Sequence, residues 1–105
     1  MNEILIISTA DTLELAQKIA NTLVRESHAA CVNILPGIRS IYRWEGEMCN
    51  EAEFLLLIKS SAQQFESVRS RIRQLHSYQI PEVIALPIAD GDPDYLNWFR
   101  AQIAH

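Results

Sequence analysis

Glycine is scarce, with three residues in a chain of 105. There is no GxGxxG, no GxSxG and no P-loop, so phosphate cradles and strained nucleophile turns lack the glycines they are built on. Cysteine is scarce too. Cys31 and Cys49 form no CxxC, and no HxxH or HxxxH pair accompanies them, which excludes a self-contained zinc site. Both are read as free thiols, since nothing points to an oxidising compartment. Long hydrophobic runs are missing. The longest, Phe54 to Ile58, falls far short of the roughly 20 residues that span a bilayer. Basic charge is not in excess. A formal net charge of -4 argues against nucleic acid as a partner, which needs clustered Lys and Arg, and Arg69, Arg71 and Arg73 do not share one helix face. Met1-Asn2-Glu3 shows no secretory pattern, so the expected location is cytoplasmic, with no membrane partner.

What is present is an ordinary globular composition, 49% apolar and 21% charged, at a length that suits a single domain over residues 1–105. Ile4-Leu5-Ile6-Ile7 reads as a strand, ended by Thr9, Ala10 and Asp11. Asp11 with Glu14 resembles a capping box, opening a helix whose apolar stripe is Leu15, Ala16, Ile19, Ala20 and Leu23 and whose end lies near Ser27. Ala29 to Lys59 reads as two long strands joined by a tight turn at Glu45-Gly46. Pro36-Gly37 marks a bend, a bulge or an edge in the first arm. Ser61 with Gln64 opens a second helix with Phe65, Val68, Ile72 and Leu75 on its apolar side. Glu82 to Leu86 is a further strand, and Asp92 then caps, and Pro93 opens, a third helix that buries Leu96, Phe99 and Ile103. The order is βαββαβ with an extra C-terminal helix: an α+β, ferredoxin-like arrangement.

A two-residue hairpin loop pairs positions whose numbers sum to 91, so Trp44, Tyr42, Ser40 and Ile38 share a face with Glu47, Cys49, Glu51 and Glu53. Right-handed crossovers put both long helices on one side of the sheet, leaving the other side to be covered by something else. The arm from Ala29 to Trp44 would run about 50 Å if straight, against a radius of gyration near 13 Å for a domain of this length. A ribbon of that length, tipped with Tyr42 and Trp44, is expected to meet another copy of the chain.

The segments Ala29-Ala30-Cys31-Val32-Asn33-Ile34, Pro36-Gly37-Ile38 and Ser40-Ile41-Tyr42-Arg43-Trp44 closely resemble the CutA family of divalent-cation-tolerance proteins. Glu53 to Lys59, His76 and Tyr78, Pro81 to Ile88, and Tyr95-Leu96 with Trp98 resemble the same family in the same order, so the likeness runs from about residue 4 to 103. It implies a homotrimer of ferredoxin-like subunits with interlocking sheets, similar to the PII signalling proteins. It also implies a role in tolerance to divalent metal ions, copper above all.

Thiolate and imidazole suit copper. Some copper-binding members have a Cys at the end of the first strand and a His pair before the Tyr. Here those positions hold Ser8 and Leu75-His76, so of these ligands His76 alone carries over. Near a helix C-terminus His76 could equally serve the macrodipole. Ser77 and Gln79 stand where many members have Pro and Glu, which removes an acidic group. Cys31 reads as core filling in its apolar strand, Cys49 as the more exposed thiol, and His28 and His105 as solvated. The alternative function is a PII-like sensor that binds a small metabolite in a cleft between subunits, lined by Trp44, Glu53, Lys59 and Tyr95. Its plainer counterpart is interface packing with a Glu53 to Lys59 ion pair. No cofactor is required and no catalytic set stands out. Glu47, Glu51 and Glu53 alternate as a solvated strand face does, and Cys31 with His76 lacks an orienting third group, so the expectation is a non-enzymatic protein.

Overall fold

Burial along β1 (Glu3–Ala10) sets the plan of the molecule: Ile6, Ser8 and Ala10 are sealed, while Leu5 and Ile7, which point to the other face, are not. The computed structural model describes residues 2–104. After β1 come α1 (Leu13–Arg25), β2 (Cys31–Trp44), β3 (Glu47–Ser61), a 3-10 turn (Ala62–Gln64), α2 (Phe65–Leu75), β4 (Ile84–Pro87) and α3 (Pro93–Ala101). The strands form one antiparallel sheet in the order β2-β3-β1-β4, the ferredoxin-like arrangement. His105 lies outside the described residues.

The helical side holds the main core. Ile19 and Leu23 of α1, Val68 and Ile72 of α2, and Ile6, Leu56 and Ile58 of the sheet pack as one fully buried cluster. Ile58 sits at its centre, paired with Ile6 on one side and Val32 on the other. The opposite face of the sheet is also apolar but open: Leu35, Ile84 and Leu86 are 40%, 52% and 48% exposed, and Leu5, Ile7, Leu55 and Leu57 are half-buried. The third helix closes one end of that face. Phe99 and Ile103 pack there with Ala30 and Ile88.

The hairpin turn has φ of 50° at Glu45 and 82° at Gly46, the two positive values of a type I′ turn, and the 91-sum register runs from Trp44↔Glu47 to Ile38↔Glu53. At Pro36-Gly37 the register slips by one residue, to Leu35↔Leu55, with Gly37 at φ 82°. The dipeptide is therefore a bulge. The ribbon stretches the molecule to 45 Å along its longest axis, with a radius of gyration of 14.2 Å.

Three local expectations are corrected. The first helix is capped by Thr12, not Asp11: the Leu15 N–H donates to Thr12 Oγ1 over 3.1 Å. Ser61 makes no side-chain cap bond, and α2 is entered through the 3-10 turn instead. The first strand runs on through Ser8, Thr9 and Ala10, because Leu56, Leu55 and Phe54 offer their backbone groups opposite. By contrast Asp92 and Pro93 open α3 as expected, with the Tyr95 N–H donating to Asp92 Oδ2 at 3.0 Å.

Arg100 ties α3 to the sheet through Glu3, with Nε 2.8 Å and Nη2 2.6 Å from Oε1. Burial pushes the Glu3 carboxyl up, but the Arg100 hydrogen bond and charge, with the Asn2 N–H, outweigh it and hold the group below its ordinary 4.5. A depressed carboxylate contributes stability above its unfolded value and loses it as pH falls through the folded one. Arg100→Ala is therefore expected to lower stability by roughly 1–2 kcal/mol at neutral pH, an amount moderated by the half-exposed guanidinium. Urea melts in acid, below the carboxylate range, should find the two proteins alike. A gap that persisted there would show that Arg100 acts through packing and not through Glu3.

Candidate functional site

The second end of the open sheet face, away from α3, is a cleft of about 570 Å³. The sheet contributes its floor: Thr9 from β1, Ser40, Tyr42 and Trp44 from the far half of β2, and Glu53 from β3. The bulge is what aims these side chains. By inserting one residue it turns Ile38, Ser40, Tyr42 and Trp44 onto the open face, whereas before it Val32 and Ile34 face the core. The wall is the segment between α2 and β4, with Tyr78, Gln79, Ile80 and Glu82.

Glu53 is the buried member, only 5% exposed. Tyr78 donates its hydroxyl to Glu53 Oε2 at 2.5 Å. Burial and then this hydrogen bond and the negative charge of Glu53 push the Tyr78 phenol well above its usual range, which fixes it as a donor. Glu82 is pushed up as well, first by burial and then by the charge of Glu53, so the two carboxylates sense each other across the cleft. The Tyr42 phenol is raised by burial and by the thiol and carboxylates alongside it.

His76 positions Tyr78. Its Nε2–H donates to the Thr9 carbonyl at 2.6 Å, and its Nδ1 accepts the Tyr78 N–H at 3.0 Å. A carbonyl can only accept, so these two bonds fix the tautomer. The rings of His76 and Tyr78 lie 4.5 Å apart. A metal ion on His76 would have to displace one of the two bonds. Ser8, on the helical side, is wholly buried, and its Oγ finds no hydrogen-bond partner.

Of the four proposed ligand residues, the structure brings Trp44 and Glu53 together in the cleft and places Lys59 and Tyr95 elsewhere. Lys59 donates to the Tyr95 hydroxyl at 3.2 Å, at the α3 end. The intrachain Glu53 to Lys59 pair is not among the ion pairs of the described residues. Both side chains share a strand face, but six residues of strand separate them by roughly 20 Å. Cys31 does not fill the core: it is half-buried on the open face, opposite Lys59, and both cysteines are free. His28 is held rather than solvated, its Nδ1 2.8 Å from Gln64 Oε1 and its Nε2 3.4 Å from Glu26. Tyr78 and Glu82 were assigned no role from sequence. Their signal, a Tyr two residues after His76 and a Glu after Pro81, has no periodicity to place it on a face.

Among the described residues, no three His, Cys, Asp or Glu side chains gather as a metal-holding group. Among the same residues no helix is long and apolar enough to cross a membrane.

Comparison with known proteins places these features. Residues 4–102 match the family model described as CutA1 divalent ion tolerance protein. The Divalent-cation tolerance protein CutA of Thermus thermophilus is 48% identical over 100 residues, covering 95% of this chain and 96% of that protein. The chloroplastic Protein CutA of Arabidopsis thaliana is 43% identical over 97 residues, covering 92% of this chain and 53% of its own length. The crystal structure of CutA from Xylella fastidiosa superimposes with a TM-score of 0.95 at 40% identity, covering 99% of this chain and 100% of that one. With nearly the whole chain matched in both sequence and fold, it belongs to the CutA1 divalent ion tolerance protein family.

Proposed function

We propose that this chain acts as a single-domain, non-enzymatic homotrimer in cellular tolerance to divalent metal ions, copper among them, in the cytoplasm and without nucleic acid or membrane as partner. The observation that carries the oligomer is the open apolar face. Leu5, Ile7, Leu35, Leu55, Leu57, Ile84 and Leu86 form a continuous surface that α3 covers at one end only, and a sheet face of that kind is stable in water when another surface lies on it. Family membership across nearly the whole chain supports the metal role. The two free thiols fit a reducing compartment.

The described residues of one chain gather too few ligands for a metal, so metal binding on this reading draws on more than one subunit, with His76 contributing an imidazole once it gives up a hydrogen bond. Calorimetric titration of the purified protein with Cu(II) and Zn(II) tests this. Saturable heat at micromolar copper, reduced by His76→Ala, is the expected result. No heat at all, or identical heat in the variant, would remove His76 and direct chelation from the account.

A further inference from the structure

We infer that the assembled chains meet head to tail, with Lys59 of the partner subunit entering the cleft and pairing with Glu53. The inference deepens the homotrimer reading and rests on it. Its basis is the difference between the two ends of the open sheet face. At one end Glu53 is buried and held by the Tyr78 hydroxyl, Glu82 adds a second carboxylate, and within one chain no Lys, Arg or His lines the cleft. Burial and then the charge of Glu53 push the Glu82 carboxyl up, as expected of two carboxylates that share a cleft with no cation between them. At the other end Lys59 donates to the Tyr95 hydroxyl at 3.2 Å and lies 5.6 Å from the centre of that ring, with no carboxylate partner among the described residues. One chain thus carries an acidic socket and a basic, aromatic knob on the same face of β3. Leu55 and Leu57 lie between them over roughly 20 Å of strand.

Neither end can reach the other within the chain, whereas a second copy can bring them together. Covering the open face removes the water that serves both groups in a lone chain, and a charge deprived of water is costly unless an opposite charge meets it. The leucines between the two ends would let a copy lie on the sheet in either direction. Opposite charges at the ends admit the direction that carries Lys59 to Glu53, since the other sets carboxylate against carboxylate. Tyr42 and Trp44 give the cleft aromatic sides, against which a lysine stem packs and to which its ammonium is attracted. A head-to-tail contact uses both ends of every chain, so a row of copies keeps a spare socket and a spare knob until it closes, and a ring leaves none. The cleft is therefore complete in the assembly alone, one subunit supplying the carboxylate and the aromatic walls and its neighbour the ammonium.

Sedimentation of charge variants over a dilution series tests the pairing. Lys59→Glu, which sets a carboxylate against Glu53, should raise the protein concentration needed for assembly roughly tenfold or more. The far-ultraviolet circular dichroism should be retained, because Lys59 lies outside the main core. Adding Glu53→Gln to that variant removes the repulsion and should recover part of the loss, and Glu53→Lys, which completes the exchange of charges, should recover more. Glu53→Gln keeps the shape of the side chain, so it decides the matter if the exchanged chain does not fold. Glu66→Gln, on α2 across the core from the open face, should leave assembly unchanged. A Lys59→Glu chain that assembles as tightly as the unaltered one, or whose defect Glu53→Gln does not relieve, would overturn the pairing while leaving the trimer standing. The trimer itself fails on a different result, an unaltered chain that sediments at 12.0 kDa.

Discussion

Changing Leu57 to aspartate is expected to turn an oligomer into single chains without unfolding them. Leu57 lies mid-strand on the open face, between Ile7 of β1 and Asn33 of β2. The main core occupies the opposite face, where Leu56 and Ile58 are fully buried, so the substitution leaves intrachain packing largely intact. In an assembly that covers the open face, however, the new carboxylate loses its water, and Lys59 two residues along the same strand face, already engaged with the Tyr95 hydroxyl, offsets only part of a penalty of several kcal/mol per subunit. Size-exclusion chromatography should show the mass falling while the far-ultraviolet circular dichroism is retained. An unchanged oligomer would mean that Leu57 faces solvent in the assembly and that another surface holds the copies together.

Ile58→Ala acts on the other face and should show the reverse pattern, with the assembly kept and its stability lost. Ile58 bridges Ile6 and Val32 across three strands under α1 and α2. Truncating a fully buried side chain at such a site costs about 2–5 kcal/mol, from lost transfer free energy and from the cavity left behind. Urea unfolding at one fixed protein concentration should report this as a lower midpoint with little change in slope, since unfolding of an oligomer depends on concentration. Ile80→Ala, on a side chain 63% exposed, should shift stability by less than about 0.5 kcal/mol. Equal effects at the two positions would contradict the placement of the core.

These two residues show how much of the molecule could be read in its sequence. Helical stripes placed Ile19 and Ile72, because a period of 3.6 is intrinsic to the backbone, whereas the runs Ile4 to Ile7 and Phe54 to Ile58 are apolar at every position and do not tell which side chains, Ile6 and Ile58 among them, face the helices. The hairpin register followed from a single dipeptide, since Gly46 tolerates a positive φ and a two-residue loop fixes which positions face each other. That register puts Trp44 and Glu53 on one face. Within one chain strand rise carries Lys59 to the α3 end, where Tyr95 receives it, so a cleft that unites it with Glu53 takes the two from different subunits. Caps were misplaced where two oxygen-bearing residues stood side by side, as Asp11 and Thr12 do, because either side chain can reach an N–H of the first turn. The wall of the cleft was not legible. Tyr78 and Glu82 sit on irregular chain, and their positions are set by the His76 bonds to Thr9 and to the Tyr78 backbone, contacts that no local pattern encodes.

The cleft and the open face share one cause. The bulge at Pro36-Gly37 turns the far half of β2 over, so the near half feeds the core while the far half presents aromatic side chains beside Glu53. A straight ribbon would have put Ile41 and Arg43 there instead and left Trp44 on the helical side. One inserted residue thereby separates the half of the strand that feeds the core from the half that lines the cleft.

Sedimentation equilibrium of the unaltered protein over a range of dilutions tests the oligomer most directly. If copies of the chain seal the bare side of the sheet, the mass should be that of three 12.0 kDa chains, about 36 kDa, and should hold on dilution. A stable, well-behaved particle of 12.0 kDa would contradict it.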